Sequence, residues 1–257
     1  MARLAGESDV NAVILAGSRG RVDPVAAYAG VAHKALIELE GETLLARVAR
    51  ALEEAGCAPV VVSTGDAEVA AEAERLGCRV LPSAPGPSAS VAEALAALGA
   101  PLLVTTADHA LLEAGWVRRF VADTPAGADV AVLLARRDVI EAALPGTRRT
   151  YLRFADGDWS GCNLFLLATA RAAGAIDLWR LVEADRKRPW RIVRRFGLRT
   201  LASYLRGRLT LARAVQRLGE LAAVRAAAVA SPAGLAAVDV DKPADLDAVR
   251  AVVAALR

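Results

Sequence analysis

Apolar residues along this chain fall into two alternating patterns. Short runs rich in Val, Ile, Leu and Ala occupy 12–16, 59–63, 79–82, 101–105, 129–134, 163–167 and 236–240, and each has the length and composition of a buried strand. Between them, 43–55, 67–76, 90–98 and 115–123 carry apolar residues three and four apart, the spacing of one helix face. Gly77 directly follows Leu76 and marks a helix stop. Strand-then-helix repetition predicts parallel strands joined by right-handed crossovers, in a sheet covered on both faces. The expected fold class is therefore α/β, with a single, mostly parallel sheet and helices on both sides.

The pattern loosens after Gly146. Positions 148–158 are polar and rich in turn formers, and a helical, arginine-rich stretch runs from about 170 to 221. The segment 238–246 leads into a final amphipathic helix. With no internal repeat or low-complexity linker, the expectation is one domain over 1–257 carrying a basic helical insert at about 170–221.

Composition narrows the class. The 257 residues are 55% hydrophobic and 24% charged, which gives ample material for a core and excludes a disordered chain. No apolar run approaches the roughly 20 residues that cross a bilayer. The first residues lack a signal-peptide apolar region before Glu7 and Asp9, so a cytoplasmic protein is expected. Cys57, Cys78 and Cys162 are odd in number and scattered, with no CxxC pair, and read as free, buried thiols. The net charge of +3 is unevenly spread: between Arg171 and Arg217 basic residues far outnumber Asp177, Glu183 and Asp185.

Candidate chemistry begins where the first strand ends, in Leu15-Ala16-Gly17-Ser18-Arg19-Gly20. Small residues there bare the backbone N–H groups, two glycines allow close approach of a ligand, and Arg19 and Lys34 stand ready for negative charge. That is phosphate-holding chemistry, but neither GxxxxGK[ST] nor GxGxxG is present. Gly17-x-x-Gly20 alone is equally well a ligand-free turn. Asp108 follows the apolar run Leu102-Leu103-Val104-Thr105-Thr106-Ala107, at the strand end where open α/β sheets bind ligands. It suits magnesium, which takes one or two carboxylates plus phosphate oxygens; a helix N-cap is the competing role. Beside it, His109 fits a turn-shaping role better than proton transfer. Near the end, alternation puts Asp239 and Asp241 on one side of the strand expected at 236–240. Asp241 could instead cap the last helix.

The pairing of Leu15–Gly20 with His33-Lys34-Ala35-Leu36-Ile37-Glu38-Leu39-Glu40-Gly41-Glu42-Thr43 resembles the MobA-like NTP transferase superfamily, nucleotidyltransferases of a Rossmann-like, GT-A-like fold. The likeness is good from Asn11 to about Leu112, returns at 161–167 and 238–246, and is poor in the insert. Two departures stand out: Ser18 replaces the family's second glycine, and the stretch from Gly20 to Lys34 is longer than usual. The resemblance implies that Leu15, Ala16, Gly17, Ser18, Arg19 and Gly20 wrap the nucleotide, while Lys34 and Arg19 (or Arg21) neutralise its triphosphate. It implies that Asp108 and Asp239 hold Mg2+, with Asp241 capping the helix or supporting the site. Gly86 and Ser90-Val91-x-x-Ala94-Leu95 echo the cytidylyltransferase branch, placing Ser90 against the nucleotide and favouring CTP, although the arginine often found between them is missing. The second half of the sheet builds the acceptor pocket in this family. Arg148, Arg149, Arg153 and Asn163 are its candidates here, against the competing reading of surface arginines on a loop.

In the insert, arginines interleave with Trp190, Leu198, Leu201 and Leu205, as on a helix lying against an anionic membrane. A solvated helical face is the plainer reading, and nucleic acid is not favoured. The function expected is Mg2+-dependent transfer of a nucleoside monophosphate from an NTP to a phosphorylated sugar or alcohol, releasing pyrophosphate. Two alternatives stay open: a glycosyltransferase of the GT-A type, and a non-catalytic membrane- or nucleic-acid-binding protein on this scaffold.

Overall fold

A computed structural model describes residues 10–18, 23–185, 195 and 197–255. Its main sheet gathers β1 (Asn11–Leu15), β4 (Val60–Thr64), β5 (Arg79–Pro82), β6 (Leu102–Thr106), β7 (Val130–Arg136), β8 (Leu152–Phe154), β9 (Gly157–Leu167) and β10 (Ala226–Ser231). A separate two-stranded ribbon pairs β2 (Glu38–Leu39) with β3 (Glu42–Thr43). The strand order is β10-β7-β9-β6-β1-β4-β5, with β8 added to β9. The strands β6, β1, β4 and β5 run parallel, as do β7 and β10, but β9 runs antiparallel to both β6 and β7. The sheet is thus mostly parallel, and a single reversed strand joins its two halves.

Ten helices flank it among the described residues: α1 (Pro24–Ala29), α2 (Leu44–Glu54), α3 (Ala67–Arg75), α4 (Pro87–Leu98), α5 (Ala114–Asp123), α6 (Arg137–Ala143), α7 (Ala173–Asp185), α8 (Leu198–Leu205), α9 (Leu211–Ala222) and α10 (Pro243–Ala255). Side chains of α2, α3, α5 and α6 pack with Ile14, Val62, Leu103, Leu133 and Leu164 on one sheet face. On the other, Val91 and Ala94 of α4 and Ile176 of α7 cover Val13, Leu102 and Val104. A third cluster joins Val25 of α1 to Ile37, Leu44, Ala110, Val238, Val240 and the buried face of α10.

Three sequence expectations give way. The run 236–240 is no strand: Gly234–Ala237 forms a 3-10 turn, followed by extended chain that the third cluster buries. The sheet instead takes its last strand from β10, where Val229 is the one β-branched residue. Finally, β9 starts well before 163, because Gly157–Leu167 pairs first with β8 and then with β6 and β7.

Candidate active site

Four carboxyl-end segments of the first half-sheet meet. Ala107 N donates to Leu15 O at 3.0 Å and Ala16 N to Ser63 O at 2.9 Å, so the turns after β1, β4 and β6 are stitched together at their roots. Thr64 Oγ1 donates to Ala16 O at 3.0 Å, holding the start of the glycine-containing loop against β4. Gly65 belongs to the same floor. A Cβ there would lie 2.9 Å from Ser83 Oγ, so the turns after β4 and β5 approach closely and a side chain at 65 would make Ser83 turn its hydroxyl away.

Lys34 opens a short 3-10 turn, Lys34–Leu36, whose N-cap is His33: His33 Nδ1 accepts from Ala35 N at 3.1 Å. Burial lowers the His33 pKa, more than Asp66 and Asp23 raise it, which favours the neutral ring this cap requires. From that turn Lys34 Nζ reaches Asp108 Oδ2 at 2.6 Å and Asp241 Oδ1 at 3.4 Å. Burial works against the ammonium, but the Asp108 charge and hydrogen bond, with Asp241 and Asp23, outweigh it and raise the Lys34 pKa.

Asp108 is no helix cap; α5 begins only at Ala114, after Glu113. Its Oδ1 accepts instead from Thr106 Oγ1. The tail of the chain comes alongside through Val240 N, which donates to Asp108 O at 3.1 Å. Asp239 and Asp241 therefore flank Asp108, without the strand expected to present them. Asp241 does not cap α10 with its side chain: Asp245 Oδ2 accepts from the N–H groups of Asp241 and Lys242, leaving the Asp241 carboxylate toward Lys34. Partial loss of hydration, then the charges of Asp239 and Asp108, raise the Asp241 pKa against the pull of Lys34, although the side chain keeps one side in solvent. His109 is buried, which lowers its pKa and favours the neutral ring, and its Nδ1 faces Thr105 Oγ1 at 3.4 Å.

Asp239 is gripped from the other half of the sheet. Asn163 Nδ2 donates to Asp239 Oδ2 at 2.7 Å, and Arg149 Nη2 pairs with Asp239 Oδ1. Asn163 is not at a strand head but inside β9, at a bulge. The register passes from Val132↔Phe165 to Leu134↔Gly161, so β9 carries extra residues there, and Asn163 takes the left-handed φ of 47° that asparagine tolerates better than most residues. The bulge turns its amide toward Asp239.

Residues 12–194 match the MobA-like NTP transferase domain. The chain belongs to that family. This transferase also resembles a hypothetical transferase from Thermus thermophilus, at 31% identity over 92% of this chain and 98% of that one, with a TM-score of 0.78. The CMP:2-keto-3-deoxy-manno-octonic acid synthetase complexed with CTP shares the fold at 20% identity, 97% and 100% coverage and a TM-score of 0.59. So does a nucleotidyl transferase from Methanothermobacter, at 21% identity, 96% and 99% coverage and a TM-score of 0.56. No curated protein matches the sequence. The protein is a nucleotidyltransferase with a GT-A-like, Rossmann-type sheet.

Of the site residues expected from sequence, the transferase brings Lys34, Asp108, Asp239, Arg149 and Asn163 into one connected cluster. Leu15, Ala16, Gly17 and Ser18 lead out of β1 at its rim, while Arg19, Gly20 and Arg21 lie outside the described residues. Ser90 sits inside α4, which starts at Pro87 rather than at 90, and its Oγ accepts from Ala84 N at 3.0 Å, shaping the 82–86 loop. Arg148 and Arg153 are exposed, with Arg153 opposite Asp158 in the β8–β9 pair. Thr64, Gly65, Ser83 and the Asp241 side chain were not singled out or were given other roles; a glycine directly after the strand ending at Thr64 was the available signal. An open hollow of about 620 Å³ between α5, α6 and the Gly234–Ala237 turn contains none of these residues.

Proposed function

We propose that this enzyme transfers a nucleoside monophosphate, with CTP as the favoured donor, to a phosphorylated sugar or alcohol. The observation that carries this reading is the convergence of Lys34, Asp108, Asp239 and Asp241 at the carboxyl end of β6, beside the loop leaving β1. A phosphate oxygen of the acceptor attacks the α-phosphorus in line. A new P–O bond forms, the bond to the β-phosphate oxygen breaks, and pyrophosphate leaves. The acceptor oxygen is ionised at neutral pH, so no strong base is required, and the neutral, buried His109 is consistent with that. Positioning and charge neutralisation then supply most of the rate. Lys34 meets the triphosphate, the backbone at Ala16, Gly17 and Ser18 holds it, and Asn163 orients Asp239.

The donor chemistry suits Mg2+. The three aspartates against Lys34 and Arg149 leave one negative charge in excess, and no three His, Cys, Asp or Glu side chains among the described residues form a metal site by themselves. Asp108 and Asp239 would supply two carboxylates, and substrate phosphate and water the remaining oxygens. Bound there, the ion would neutralise charge developing on the α-phosphate.

A thermal-shift comparison of CTP, GTP, UTP and ATP, each with and without Mg2+, tests the reading. One triphosphate at roughly 100-fold saturation should add about 2.7 kcal/mol of apparent stability, only with the metal. Response to nucleoside-diphosphate sugars alone would favour the glycosyltransferase instead. Peripheral contact with an anionic membrane is a second element of the proposal. Leu198 and Leu205 are 76% and 74% exposed on α8, next to Arg199, Arg206 and Arg208. The basic residues at 186–191 and 194 that suggested it in the sequence lie outside the described residues.

A further inference from the structure

The Arg149–Asp239 pair is placed where the proposed function needs the carboxylate but not the guanidinium on it. Asp239 is one of the two carboxylates suited to a divalent cation, yet both its oxygens are engaged, one by the Arg149 guanidinium and one by the Asn163 amide. The pair is sheltered, with side-chain exposures of 11% and 15%. The contrast with the neighbouring Lys34–Asp241 pair is plain, because Asp241 is 61% exposed there. Arg149 is also poorly served: its Nε is buried with no hydrogen-bond partner, and an unpaired buried donor is costly. It comes from 147–151, which lies in neither helix nor strand, between α6 and β8. Asn163, by contrast, is fixed in the β9 bulge.

We infer that Arg149 is an internal stand-in cation, neutralising Asp239 in the free enzyme and competing with the divalent ion for that carboxylate. Removing either charge alone would leave the other sheltered without its counter-charge, so the arginine holds the Asp239 carboxylate in place until a better cation arrives. Metal loading then frees a planar fork of N–H donors beside the site, matched to the oxygens of a phosphate. The acceptor phosphate is its partner of suitable chemistry, so the acceptor subsite is completed only after metal is bound. The inference rests on the nucleotidyl-transfer reading given above.

The test is Mn2+ binding to the full-length protein without nucleotide, followed by calorimetry. Arg149→Met keeps side-chain length but removes the charge, and should bind Mn2+ about tenfold more tightly than wild type. Equal or weaker binding would overturn the competition. Asp108→Asn and Asp239→Asn are measured in parallel. If neither weakens Mn2+ binding, the metal site itself is misassigned and the functional reading fails; if both do while Arg149→Met does not tighten it, only the stand-in role fails. Should Arg149→Met not fold, tryptic cleavage after Arg149 in the wild type gives the answer. Mn2+ should speed cleavage at that bond by releasing the side chain, and unchanged cleavage would refute the release.

Discussion

Lys34 Nζ lies 2.6 Å from Asp108 Oδ2, joining the 3-10 turn that follows α1 to the carboxyl end of β6. On the reading proposed above, the pair links the cation that meets the triphosphate to a carboxylate that would hold the metal, and neither residue belongs to the apolar core. Asp108→Asn should lower pyrophosphate release from CTP and Mg2+ about 10²- to 10³-fold, the range for losing one preorganised charge in a site. Lys34→Met should do the same. Circular dichroism and the melting temperature should stay near wild type for Asp108→Asn, and a collapse of both would show that the residue is structural.

Away from the site, Asp129 governs how the far half of the sheet is assembled. Its Oδ2 accepts from Arg225 N at 2.8 Å and its Oδ1 from Thr169 Oγ1 at 2.8 Å, tying the starts of β7 and β10 to the segment after β9. The Arg225 backbone N–H, then the Arg225 and Thr169 side chains, hold this carboxyl well below the usual range. A lowered folded-state pKa gives stability that is present above the unfolded value of about 3.9 and lost as the pH falls below it. Urea unfolding should therefore show Asp129→Asn less stable than wild type at neutral pH, with the gap narrowing toward pH about 3. A gap that widens in acid would contradict this.

The three cysteines should be inert. Burial pushes the Cys162 thiol up to about 12 and those of Cys57 and Cys78 up to about 11, with Glu53 adding to the last. An aromatic disulfide reagent at neutral pH should label none of them in the native protein and all three after denaturation. Rapid labelling of any one would show that its surroundings open.

For the membrane surface, wild-type protein should cosediment with phosphatidylserine-containing vesicles and not with pure phosphatidylcholine. Each arginine near the surface contributes about 1 kcal/mol. Leu198→Glu combined with Leu205→Glu should abolish cosedimentation while leaving turnover of a soluble acceptor unchanged. Persistent binding would remove α8 from the contact.

What the sequence disclosed, and what it withheld, follows from where each signal resides. β1, β4, β5 and β6 were readable because short aliphatic runs between amphipathic helices declare parallel strands locally. Asp108 could be singled out because it follows β6, and Lys34 because the residues around it resemble the MobA-like family; that the two meet is what the structure adds. β10 was not, since an alanine-dominated Ala226–Ser231 has no periodicity and becomes a strand only because β7 offers it an open edge. The run 236–240 misled for the converse reason. Its valines, Val238 and Val240, are buried with α10 and Ala110, and Ala236 and Ala237 join the core cluster on the sheet face, with no neighbouring strand involved. The Asn163 bulge is a matter of register with β7, which no single stretch of sequence encodes. The same holds for the meeting of Arg149 with Asp239, whose partners come from a loop and from the segment before α10.

The hydrogen bond from Val240 N to Asp108 O has a consequence for the protein as it is being made. β1, β4, β5 and β6, with Lys34 and Asp108, all precede Asp239, and so leave the ribosome first. At elongation speeds of about 5–20 residues per second the nascent chain carries that half without Asp239 for on the order of ten seconds. During that interval the carboxylates of Asp239 and Asp241 are not yet beside Asp108. On the reading proposed above, catalysis switches on only when the segment carrying Asp239 docks against Asp108, so chains not yet extended that far are silent rather than partly active.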